Sequence, residues 1–110
     1  MLLERVLVKR GHTVSLVDTA EEGLTLLSAG GYDLLITDKN LPGIDGLEVL
    51  RRAREKNPAL QAVLMTGFPT EATRSHAADL GVYSYVTKPF GVHDITDICE
   101  KALAAKVAVP

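Results

Sequence analysis

The feature that most constrains this chain is the regular exchange of two apolar periods along its length. Short β-favouring runs occur at "TVSLV" (Thr13 to Val17), "DLLIT" (Asp33 to Thr37), "QAVLMT" (Gln61 to Thr66) and "YSYVT" (Tyr83 to Thr87). Between them, apolar residues recur at helical spacing. Leu2, Leu3, Val6 and Leu7 share one face, and Gly11 can close that helix. Thr19 opens a capping box with Glu22, and Leu24 and Leu27 carry the helix to Gly30 or Gly31. Asp45 and Glu48 start a helix that stops near Asn57-Pro58. Glu71 to Leu80 forms another, stopped by Gly81. Asp94 caps a last one, with Ile95, Ile98, Cys99, Ala102 and Leu103 on one face. The order α-β-α-β-α-β-α-β-α predicts an α/β fold: a doubly wound, mainly parallel sheet of four strands with helices on both faces.

The 110 residues show no repeat, linker or low-complexity segment, so residues 1–110 read as a single domain. A net charge of -2 gives no electrostatic reason to expect nucleic-acid binding. Arg51, Arg52, Arg54 and Lys56 read as a solvated helix face. No apolar run is long enough to span a membrane, and no secretory signal opens the chain. The single cysteine, Cys99, reads as core, and a cytoplasmic location is expected.

In a sheet of this kind, ligands bind beyond the carboxyl ends of the strands. Asp38, Thr66 and Lys88 all fall at that edge. Each alone is an ordinary strand-end or loop residue; the three together point to phosphoryl chemistry. A carboxylate beside an ammonium stays ionised and can act as a nucleophile toward phosphorus. The ammonium and a hydroxyl then satisfy the anionic phosphoryl oxygens. Magnesium, held by carboxylates and carbonyls, normally accompanies such a site. Pro89 follows the lysine, and an X-Pro bond permits the cis isomer that would aim Lys88 at the site.

On these residues the chain resembles the receiver domain of bacterial two-component response regulators. The matching stretches are "LLITDKNLPGIDGLEVLRRARE", "AVLMTGF" and "YSYVTKPF", and order and spacing agree from about residue 2 to 106. The wording is most similar to receivers joined to transcription-activating or histidine-kinase modules. The resemblance implies a flavodoxin-like receiver fold in which a partner histidine kinase or phosphotransfer protein phosphorylates Asp38. It implies that Thr66 bonds a phosphoryl oxygen, that Lys88 contacts the phosphate, and that Gly67 and Pro89 complete the binding edge. Tyr85 would be the aromatic switch. Asn40 would offer its carbonyl to Mg²⁺ beside Asp38, and its side chain, with Phe68, would tune autodephosphorylation. Phe90 and the last helix would belong to the partner face, with output through another protein or domain.

The chain departs from the family at its start. Receivers open with a strand that ends in an acidic, Mg²⁺-holding pair, and neither is present here. Asp18 matches a different position, and Glu21 and Glu22 belong to a helix start. The fold is therefore expected to be shortened at the N-terminus, with Mg²⁺ weakly held and phosphorylation impaired. The absent strand is the central one, between the first two strands of this chain. Direct pairing of those two strands, a second chain filling the gap or a rearranged sheet would compensate, and a homodimer or higher oligomer is expected. Two other readings are a phosphorylation-independent pseudo-receiver that acts as an interaction module, and a phosphatase of the haloacid-dehalogenase type. The second lacks a general acid at Asn40 and later acidic metal ligands.

Overall fold

The structure, a computed structural model, describes residues 2–106, with side chains through residue 105. It contains α1 (Leu2–Lys9), α2 (Ala20–Ala29), β1 (Leu34–Asp38), β2 (Asn40–Leu41) and β3 (Ile44–Asp45). There follow α3 (Gly46–Lys56), β4 (Gln61–Thr66), α4 (Glu71–Asp79), β5 (Ser84–Thr87) and α5 (Val92–Lys106). The main sheet is parallel, in the order β1-β4-β5, and β2 and β3 form a small antiparallel pair.

Helices cover both faces of the sheet, as the alternation requires. Val63 and Leu64 are adjacent on β4, and successive strand side chains point to opposite faces. Val63 packs with Leu3, Leu7, Val86, Ile95 and Cys99, the side of α1 and α5. Leu64 packs with Leu47 and Ala77, the side of α3 and α4. β4 buries both faces and therefore reads as a continuous apolar run.

The caps mostly follow their sequence signals. Thr19 Oγ1 accepts from the Glu22 amide at 3.2 Å, and Asp45 Oδ1 accepts from the Leu47 amide at 2.8 Å. At α5 the expectation of an Asp94 cap is corrected. The helix begins at Val92, the Gly91 carbonyl accepts from the Ile95 amide, and Asp94 lies inside the first turn.

The larger correction concerns Thr13 to Val17, which forms no strand and does not pair with β1. Among the described residues the main sheet therefore has three strands, not four. Extended backbone becomes a strand only when a neighbour completes its ladder, and this segment pairs with none of the described strands. The segment is held by side chains instead. Val14 packs on the α1/α5 cluster, and the Ser15 hydroxyl lies 2.8 Å from the Tyr32 hydroxyl. Hence β1 is an edge strand, paired with β4 alone among the described residues.

Candidate functional site

Backbone hydrogen bonds at the carboxyl end of the sheet bring three strand ends together. The Lys39 amide donates to the Met65 carbonyl at 2.7 Å, and the Lys88 amide donates to the Thr66 carbonyl at 2.7 Å. Register then places Asp38 opposite Met65 and Thr66 opposite Thr87. Residues far apart in sequence, Asp38, Thr66 and Lys88, thus occupy one rim.

Asp38 and Lys88 meet directly: Lys88 Nζ is 2.6 Å from Asp38 Oδ1, with both side chains partly exposed. Thr66 is 1% exposed, and its Oγ1 accepts from the Phe68 amide at 3.0 Å, which shapes the turn after β4. The Lys88–Pro89 peptide is cis. Gly67 and Pro89 are exposed and directly follow Thr66 and Lys88 in sequence. A carboxylate with a cation at hydrogen-bond distance, backed by a strand-end hydroxyl, can present a nucleophilic oxygen and then stabilise an anion formed there.

The turn after Asp38 carries two features that motif reading missed. Lys39 Nζ pairs with Asp45 Oδ2 at 2.6 Å, so the side chain that caps α3 also anchors a second cation beside the site. Gly46 comes so close to β1 that a Cβ there would lie 1.9 Å from the Asp38 carbonyl oxygen. Its amide donates to the Lys39 carbonyl at 2.6 Å. The start of α3 is thus pressed against the backbone of the candidate nucleophile. The Asp-Gly dipeptide was the available signal, but only the packing shows that the glycine makes room for a carbonyl.

The remaining expected residues are spread around this rim. Asn40 is exposed at the start of β2, in a hairpin turned by Gly43 at φ 77°. Phe68 is 78% exposed. Phe90 packs partly buried on the α1/α5 cluster. Tyr85 packs on the α3/α4 cluster, with its hydroxyl oxygen buried and without a hydrogen-bond partner. The Arg74 guanidinium sits over its ring, 4.7 Å from the centroid. Nothing in the sequence signalled that contact, because it joins α4 to β5 through tertiary packing. Among the described residues, no three His, Cys, Asp or Glu side chains converge as a metal site. No helix among them is long and apolar enough to cross a membrane.

Comparisons with known proteins bear on the family and the fold. The sequence model of the response regulator receiver domain matches residues 1–100. The uncharacterized transcriptional regulatory protein YkoG of Bacillus subtilis (strain 168) is 35% identical over 94 residues, 86% of this chain. The chain spans 41% of that relative's length. A CheY-like receiver domain protein from Methanospirillum hungatei JF-1 superposes with a TM-score of 0.90 at 24% identity, over 96% of this chain and 85% of that one. A response regulator from Burkholderia pseudomallei, solved with a phosphorylated aspartic acid, calcium ion and citrate, superposes with a TM-score of 0.77. It is 25% identical, over 99% of this chain and 67% of that one.

Proposed function

The chain belongs to the response regulator receiver family, and from that premise we propose that Asp38 is its phosphoacceptor. The observation that carries this reading is the 2.6 Å contact between Lys88 Nζ and Asp38 Oδ1 at the carboxyl edge of the sheet. In the reaction, an Asp38 carboxylate oxygen attacks the phosphorus of a phosphohistidine on a partner kinase or phosphotransfer protein. The P–O bond forms as the P–N bond breaks, and the imidazole leaves with the electron pair. Lys88 neutralises charge on the transferred group, and the Thr66 hydroxyl reorients toward it. The domain is a signalling module; its output lies in a partner protein or a further domain, and its place of action is cytoplasmic.

The same reading makes the reaction slow. Magnesium demands near-octahedral oxygen coordination, usually through more than one carboxylate when it serves a phosphoryl group. The donors that the family pattern assigns here are Asp38 and the Asn40 carbonyl. Asp38 already pairs with Lys88, and the next acid along the chain, Asp45, is held by Lys39 and the Leu47 amide. That donor set does not fit a tightly bound divalent ion. Self-association belongs to the same proposal and is supported by the open edge of β1. Light scattering should find a dimer or larger species, and a monomer at every concentration would remove this part.

The test of the phosphoacceptor is direct. The chain is incubated with acetyl phosphate, digested and mapped by mass spectrometry. A hydroxylamine-sensitive phosphoryl group on Asp38, absent from Asp38→Asn, is expected. An unlabelled Asp38 after long incubation would instead favour the pseudo-receiver, in which the three residues are idle.

A further inference from the structure

Tyr85 sits on β5, packed against the buried cluster of Leu47, Leu64 and Ala77, with its hydroxyl oxygen buried and unpartnered. A buried hydroxyl without a hydrogen-bond partner is disfavoured, since it has surrendered water for nothing. The phenol is therefore not held inward by its own polar end; contacts on the ring must hold it. One of these is a cation: the Arg74 guanidinium lies 4.7 Å from the ring centroid. Arg74 is otherwise exposed, and among the described residues no carboxylate pairs with it. Its backbone is fixed by the first turns of α4, where its amide donates to the Thr70 carbonyl at 3.0 Å. α4 is otherwise lightly anchored, with Ala77 its one buried residue.

We propose that Arg74 is a positioning residue for Tyr85: its guanidinium clamps the ring in the inward orientation and ties α4 to β5. This rests on the reading that Tyr85 responds to the state of Asp38. It adds the element that sets how strongly. A cation over an aromatic face is attracted by the ring quadrupole, and arginine can stack flat while its other face stays in water. At a partly exposed site this attraction shifts a two-state equilibrium by about 2- to 5-fold. That bias is small enough for an event at the neighbouring strand end to override, and large enough to set the resting position. It also makes α4 move with the ring, so a change at Asp38 that releases or seats Tyr85 is read out on the α4 surface.

The test uses the full chain with 3-fluorotyrosine at its three tyrosines, Tyr32, Tyr83 and Tyr85, observed by ¹⁹F NMR. Tyr85→Phe identifies the Tyr85 resonance. Arg74→Gln should raise the outward population of Tyr85 by about 2- to 5-fold, and Arg74→Lys should restore part of the inward bias. The Tyr32 and Tyr83 signals should stay in place, which a general loosening of the fold would not allow. A Tyr85 signal identical in wild type, Arg74→Gln and Arg74→Lys would overturn the clamp. A separate arm adds acetyl phosphate to wild type and to Asp38→Asn. If Arg74 controls Tyr85 while phosphodonor leaves it unmoved, the clamp stands and the switch reading of Tyr85 falls.

Discussion

Lys88 and Asp38 are fifty positions apart in sequence, yet their charged atoms stand 2.6 Å apart across the end of β4. Both side chains are partly exposed, so the pair adds little to stability, less than about 1 kcal/mol. Under the phosphoacceptor proposal its value lies in the labelling step. Lys88→Ala should leave the urea midpoint nearly unchanged. It should slow labelling of Asp38 by acetyl phosphate about 100-fold, the usual cost of removing one donor to a developing anion. Paired measurements of midpoint and labelling rate separate the two effects.

Gly46→Ala should be among the most damaging small substitutions in the chain. The added methyl would lie 1.9 Å from the Asp38 carbonyl oxygen and 3.0 Å from Lys39 Cα, and both are backbone atoms. α3 must then move off β1, breaking the 2.6 Å bond from the Gly46 amide to the Lys39 carbonyl. A loss of about 1–3 kcal/mol is expected in urea unfolding, together with slower labelling of Asp38.

Asp45 has two tasks that can be separated. Asp45→Asn keeps an oxygen for the Leu47 amide and loses the charge facing Lys39. Asp45→Ala loses both. The alanine variant should be less stable than the asparagine variant by about 1 kcal/mol, the worth of a helix cap. Equal midpoints would mean that the cap contributes nothing.

Glu48 and Cys99 carry shifted pKa values that bear on the pH dependence. Glu48 is held at a pKa of about 2 by hydrogen bonds from Arg51 and then Arg52, with their charges assisting. Its folded pKa lies below the ordinary 4.5, so its contribution is present above pH 4.5 and lost as pH falls toward 2. Because the cluster lies at the protein surface, salt should shrink this acid-limb effect. The Cys99 thiol moves the other way, pushed up to about 11 by burial and then by the Glu100 charge. Its contribution is complete below the ordinary 9.0 and is lost as pH rises through about 11. Ellman's reagent should therefore react with Cys99 only as fast as the chain opens, and Glu48→Gln should flatten the acid limb between pH 4.5 and 2.

Much of this was legible in the sequence because the signals are local. The run "QAVLMT" became β4 residue for residue, since a strand buried on both faces is continuously apolar. Asp38, Thr66 and Lys88 could be placed on one rim because parallel strands align their carboxyl ends. Thr13 to Val17 could not be judged in the same way. Its residues favour a strand, but the ladder depends on a neighbour elsewhere, and propensity does not report whether that neighbour exists. Gly46 against Asp38 and Arg74 over Tyr85 were hidden for a related reason: each is a contact between two elements, visible only once both are packed.

The central proposal is that Asp38 is a phosphoacceptor served by Lys88 and Thr66, and that no cluster of acids among the described residues holds a metal beside it. The most direct test is the initial rate of Asp38 labelling by acetyl phosphate, followed by intact-mass spectrometry over a magnesium titration at constant ionic strength. The account predicts slow labelling, absent in Asp38→Asn, whose rate changes little as magnesium is added. Rapid labelling that rises steeply with magnesium and saturates would contradict it.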